Sequence, residues 1–193
     1  MIKIIVGLLI IGTALWGYHY DPSHMYELTF ISNFSCGLVL LLDGAMSLIN
    51  RRSLPVFLYQ LVLPCTNSVF LTTVFTTLLG WHDFNFSGMF FFMHAINPVI
   101  FFFIYLFSTK LEIRNNKDYV RRVFIAPAMM MAYAIFDLIR FMITGELVYG
   151  LIATDKLNCI SVPFIGIGLY LLMAFMSYGL IDLKLYVQKR MDC

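Results

Sequence analysis

Charge is scarce in this chain. Asp, Glu, Lys and Arg make up 12% of its 193 residues, against 61% hydrophobic residues, about half the charged share of a typical soluble domain. With a mean hydropathy of +0.84, a water-soluble globular domain is excluded. Polar stretches are scarce too, and none between the apolar runs is long enough to form a domain of its own. Cysteine is sparse and scattered: Cys36 and Cys65 fall in apolar runs, Cys159 and Cys193 outside them. With no CxxC pair, neither a disulfide framework nor a cysteine metal site is called for. His19, His24 and His82, near Asp21 and Asp83, match no ligand spacing and read as loop or interface histidines. There is no nucleotide-binding glycine loop, internal repeat or low-complexity segment, so no cofactor is implied. The net charge of +2 comes from residues flanking the apolar runs, so no nucleic-acid partner is implied either.

What the chain does have is long apolar sequence. A membrane-spanning helix needs about 20 mostly apolar residues, and six runs qualify, at 2–19, 24–49, 54–79, 86–108, 122–144 and 160–186. The expectation is an all-α, polytopic membrane protein with one transmembrane domain over 1–193. The first run could pass for a signal peptide, but WGYHYDPSH follows it rather than a small-residue cleavage site, so it is kept as a span. Eleven basic residues lie at the N-terminus, in the loops after spans two and four, and at the C-terminus: Lys3, Arg51, Arg52, Lys110, Arg114, Lys117, Arg121, Arg122, Lys184, Lys189 and Arg190. The opposite side carries only Lys156, and the positive-inside rule then places both termini in the cytoplasm.

Polar residues inside the spans are few, and their positions are informative. The second span reads YELTFISNFSCGLVLLLDGAMSLI, and its helix is expected to start early, with Asp21 as N-cap and Pro22 as first residue. At about 100° per residue, Thr29, Asn33, Cys36, Leu40, Asp43 and Ser47 share an arc of roughly 80°. Such a stripe should face the bundle, because a central Asp facing lipid costs about 2.5 to 3.5 kcal/mol. Taken singly, these residues also serve helix packing and interhelical hydrogen bonds. The third span carries Gln60 and the run Pro64 to Ser68, read as a local break near mid-membrane and as packing or pocket wall.

Span four holds a lone histidine, His94, about 12 Å deep at 1.5 Å per residue. Asn97 follows one turn later, and Pro98 lacks the amide that would bond the His94 carbonyl. On span five, Tyr133, Asp137, Arg140 and Thr144 share a face, with Asp137 about as deep as His94 and Arg140 a turn shallower. Thr29, Asn33, His94, Asp137 and Arg140 thus converge on the outer half of the membrane, while Asp43 and Ser47 lie too deep to join them. The convergence admits two readings: an Asp137–Arg140 ion pair and a His94 hydrogen bond that only fix packing, or a site. In a site, Thr29 needs a base and His94 supplies one. Asn33, Asn97 or Arg140 would stabilise an oxyanion, and Asp137 would steady the imidazole or Arg140. A proton relay, or a lipid-binding or transport protein, would use the same cavity without an ester bond being cut.

Three segments carry a resemblance: Leu28-Thr29-Phe30-Ile31, His94 to Pro98, and Thr144-Gly145-Glu146-Leu147-Val148-Tyr149. Together they resemble the androgen-induced protein and androgen-dependent TFPI-regulating protein family of intramembrane threonine hydrolases. The chain is most similar to the short bacterial relatives, which pair Thr-x-x-Ser-Asn with a His followed by Asn-Pro. Here these are Thr29, Ser32 and Asn33, then His94, Asn97 and Pro98, within a similarity running over about residues 20–185. The resemblance implies a Thr29 nucleophile, a His94 partner, lipid-ester substrates such as fatty acid esters of hydroxy fatty acids, and a bacterial cell membrane. The chain departs from the animal members at Leu147, at Tyr149-Gly150, in its shorter loops, and in Pro98 lying one position nearer the histidine.

Overall fold

In the computed structural model, residues 1–51, 53–78, 88–148, 157 and 160–192 are described. Arg52, His82, Asp83, Tyr149, Gly150, Lys156, Cys159 and Cys193 therefore lie outside the described residues. All regular structure among the described residues is helical: α1 (Ile2–Gly17), a 3₁₀ turn (Pro22–His24), α2 (Leu28–Asn50), α3 (Val56–Leu78), α4 (Met89–Phe91), a π turn (Phe92–Ile96), α5 (Asn97–Ser108), α6 (Asn116–Ile125), α7 (Ala128–Thr144) and α8 (Ser161–Met191).

Five segments are long and apolar enough to cross a membrane: Leu28–Ile49, Phe57–Phe75, Met89–Ser108, Asn116–Thr144 and Ser161–Met191. This composition and length are those of a multi-pass membrane protein. Large apolar side chains such as Phe164, Phe175, Met142 and Ile143 point outward. The first expected span is shorter than drawn. After Gly17 the chain turns, and His19 and Tyr20 adopt φ of 52° and 58°, a left-handed conformation that cannot continue a right-handed helix. The 16 residues of α1 reach about 24 Å, less than the roughly 30 Å of a bilayer core.

Three further boundaries depart from expectation. Asp21 caps only the 3₁₀ turn, its Oδ1 accepting the Ser23 amide at 2.9 Å, and α2 begins at Leu28 behind an extended Glu27. Thr29, expected two turns inside the helix, sits in its first turn. At Pro64 no break occurs, because α3 runs through it. Thr66 and Ser68 turn their hydroxyls back onto the Val62 and Pro64 carbonyls, as hydroxyls inside helices do, and Ser68 also reaches Met173 Sδ on α8 at 3.3 Å. The expected fifth span starts earlier and is two helices, α6 and α7, divided at Ala126-Pro127, where proline lacks the amide that would bond the Val123 carbonyl.

Helix α1 packs closely against α2. A Cβ at Gly37 would lie 2.7 Å from the Gly7 carbonyl oxygen, so only glycine permits this approach, in the manner of small-residue contacts in membrane helices. Ile10, Cys36, Leu40, Tyr59, Leu63, Phe101 and Tyr105 form the main apolar core. Below it, the buried Asp43 gathers Lys3 Nζ at 2.6 Å, the Leu54 amide at 2.6 Å and the Tyr59 hydroxyl at 2.7 Å. Lys3 also donates to the Ser108 carbonyl, and Lys184 to the Leu106 carbonyl. These bonds tie α1, α2, α5 and α8 together at one end of the bundle, the basic end. Thr29 lies at the other.

Candidate active site

Four polar residues from two distant segments meet at this second end. Thr29, Asn33, His94 and Asn97 are all buried, at 4%, 0%, 6% and 3% exposure. The first two stand one turn apart on α2; the other two stand at the π turn and the start of α5. Thr29 Oγ1 lies 3.3 Å from His94 Nε2, and His94 Nδ1 lies 3.0 Å from the Phe90 carbonyl oxygen. A carbonyl only accepts, so Nδ1 carries the imidazole hydrogen, and the Nε2 lone pair faces the threonine. The Phe90 ring stacks on the imidazole at 4.1 Å between centroids, fixing the plane of the ring.

The π turn explains how His94 is held. In π register the Asn97 amide bonds the Phe92 carbonyl, one residue further back than in an α-helix. The Met93 carbonyl thereby loses its α-helical donor, and the π-register donor would be the absent amide of Pro98. Asn33 Nδ2 supplies the missing hydrogen bond, at 3.0 Å. The carbonyl that a side chain takes up is thus that of Met93, not the His94 carbonyl that α-helical counting indicated.

From there a chain of hydrogen bonds crosses three helices. Asn33 Nδ2 also donates to the Thr29 carbonyl at 2.8 Å, while its Oδ1 accepts from Asn97 Nδ2 at 2.9 Å. Asn97 Nδ2 donates a second bond to Thr13 Oγ1 at 2.9 Å, and Thr13 donates to the Ile10 carbonyl. Carbonyls terminate the network at both ends, so every donor direction within it is determined. Both amide hydrogens of Asn33 and both of Asn97 are occupied. The expected use of these two residues as oxyanion donors therefore meets a geometric obstacle: their geometry is that of a clamp between the Thr29 helix and the His94 turn.

Asp137 and Arg140, expected beside His94, are engaged elsewhere. Asp137 Oδ1 accepts the Val148 amide at 2.8 Å, closing the segment after α7. Arg140 donates to the Glu146 carbonyl at 2.8 Å and lies over the Tyr26 ring, 5.0 Å from its centroid. No Asp137–Arg140 ion pair occurs among the described residues, so the packing pair considered from sequence is not what holds them. Arg140 reaches the entrance of α2 through Tyr26, three residues before Thr29.

Residues that sequence reading passed over complete the surroundings. Thr13, a lone hydroxyl in an apolar helix, was visible as an exception to its context. Phe90 was legible as the residue one turn before His94. Glu27, which accepts from the Tyr18 hydroxyl at 2.8 Å and faces His24 Nδ1 at 3.3 Å, gave no signal beyond its nearness to Thr29. Neither did Tyr26, whose partner is 114 positions away.

Among family models, curated proteins and solved structures, nothing matches the chain.

Proposed function

We propose that the chain is a six-span membrane hydrolase that cleaves lipid esters through a Thr29 nucleophile. The observation that carries this reading is the buried Thr29–His94 contact at 3.3 Å, with His94 Nδ1 on the Phe90 carbonyl. A hydroxyl becomes a competent nucleophile when a base stands within hydrogen-bond reach, and such contacts tighten when substrate binds. As Thr29 Oγ1 attacks the ester carbonyl carbon, its proton passes to Nε2, giving imidazolium and a tetrahedral oxyanion. Collapse expels the alcohol, which takes that proton, and leaves an acyl-threonyl ester. Water then attacks the acyl carbon, His94 again accepts the proton, and the acid is released as Thr29 regains its hydrogen.

Negative charge on the oxyanion falls near the start of α2, where the helix dipole is positive and the Phe30 amide has no acceptor inside the helix. Helix N-termini are suited to this charge, and they replace the asparagines, whose hydrogens are committed. Arg140 is suited to a carboxylate on the substrate, as in a fatty acid ester of a hydroxy fatty acid. In this reading α1 completes six spans by tilting little and drawing its ends into the interface. The basic end faces the cytoplasm with both termini, and the site opens to the outer leaflet of a bacterial cell membrane. The resemblance to the androgen-induced protein and androgen-dependent TFPI-regulating protein family supports the same assignment of Thr29 and His94.

A fluorophosphonate probe tests the nucleophile directly. Wild-type protein in detergent is expected to be labelled and Thr29→Ala not. Equal labelling of both, or none of the wild type alongside retained lipid binding, would favour a lipid-binding or transport protein instead.

A further inference from the structure

At the basic end, remote from Thr29, α3 and α6 enclose an open cleft of about 360 Å³. Its walls are apolar, from Phe57 and Leu61 on α3 and Ile125 on α6, and its rim is basic, from Arg114, Arg121 and Arg122. Arg122 is fixed in place: its Nε lies 3.2 Å from Asp118 Oδ2, and its Nη1 donates to Gln60 Oε1 at 3.3 Å. Asp118 offsets that one charge, so Arg114 and Arg121 leave the rim with a net positive charge. Both are exposed, and neither guanidinium is held in an ion pair among the described residues. Gln60, 4% exposed, is held at the cleft wall by Arg122 through its Oε1. The cleft thus presents two exposed guanidinium groups beside an apolar wall.

From this combination we infer that the cleft binds an anionic phospholipid of the surrounding leaflet, its phosphate between Arg114 and Arg121 and an acyl chain along Phe57, Leu61 and Ile125. Planar guanidinium groups match phosphate oxygens in pairs. Gln60 stands one turn into α3 from Val56, about 6 Å along the helix, which is the level where headgroup meets acyl chain in a helix that begins at the membrane surface. A free phosphate would meet the arginines but gain nothing from Phe57, Leu61 and Ile125. A basic segment beside a spanning helix is also where anionic lipids concentrate. The inference rests on the membrane reading of the chain and not on the chemistry of Thr29.

The test is native mass spectrometry of the full chain in neutral detergent, with phosphatidylglycerol, phosphatidylcholine or glycerol 3-phosphate added. One phosphatidylglycerol is expected to be retained, at least about tenfold more tightly than phosphatidylcholine. The exposed pair Arg114→Ala and Arg121→Ala should weaken it by about tenfold or more. Lys110→Ala with Lys117→Ala, also exposed, removes the same charge outside the cleft and should leave retention unchanged. Equal retention of phosphatidylcholine, equal loss in the two double variants, or displacement by glycerol 3-phosphate as effective as by the lipid would each overturn the inference.

Discussion

A neutral imidazole accepts a proton only on the nitrogen that carries none, and for His94 the Phe90 carbonyl determines which nitrogen that is. In the familiar triad a carboxylate orients the imidazole and also stabilises its charged form; here a backbone carbonyl one turn back does the orienting. His94→Ala should therefore lower kcat for a long-chain ester by about 10²- to 10⁴-fold, measured in mixed micelles, with the fold retained by circular dichroism. Turnover within a few-fold of wild type would remove His94 from the mechanism. Asn33 makes a different prediction because it touches no reacting atom. Asn33→Leu leaves the Met93 carbonyl and one Asn97 hydrogen buried without partners, so it should cost about 1 to 3 kcal/mol of stability, read as a lowered Tm in detergent. Asn97→Leu should be destabilising on the same footing, through Thr13 and Asn33.

At the scale of elements, the π turn holds the histidine in place. Its extra residue per turn redirects the Asn97 amide to Phe92 and leaves Met93 open to α2, while Pro98 prevents a competing backbone bond. Pro98→Ala restores that amide and gives Met93 a backbone donor. The expected outcome is a Tm equal to or above that of wild type with kcat lowered by about tenfold or more, since small displacements of catalytic groups carry large rate penalties. An unchanged kcat would mean that the turn does not position His94. The start of α2 matters in the same way. Apolar periodicity located the helix, but the 3₁₀ turn at Pro22–His24 and the extended Glu27 decide that Thr29 falls in the first turn, close to the positive end of the helix dipole. An Asp-Pro pair is compatible with either start, so pattern alone assigned the cap to the wrong helix.

For the molecule as a whole, the proposed hydrolase places its chemistry at one end and its densest polar anchoring at the other. Asp43 is tied to α1, the α2–α3 connection and α3 at the basic end, and on the helix it stands about 21 Å from Thr29. Asp43→Ala should destabilise the bundle by about 3 kcal/mol or more, because it leaves a lysine, an amide and a hydroxyl without their acceptor. The fraction that remains folded should keep the wild-type KM. A changed KM with unchanged Tm would contradict the division. The polar stripe of α2 was legible as one feature in the sequence, and its division by depth was legible too, because a helix's rise per residue is fixed.

Composition and periodicity alone determined that this chain is a set of apolar helices with a basic end, because hydrophobic length and charge placement are properties of the chain itself. They also singled out Thr29 and His94, since a hydroxyl and an imidazole are conspicuous among apolar neighbours. The tertiary structure decided which polar groups meet. It joined Asn33 and Asn97 into a clamp and diverted Asp137 to Val148 and Arg140 to Glu146 and Tyr26. Those outcomes depend on helix register, crossing and one π turn, where a shift of a single residue rotates a side chain by about 100°, and a helical sequence pattern leaves that shift undetermined.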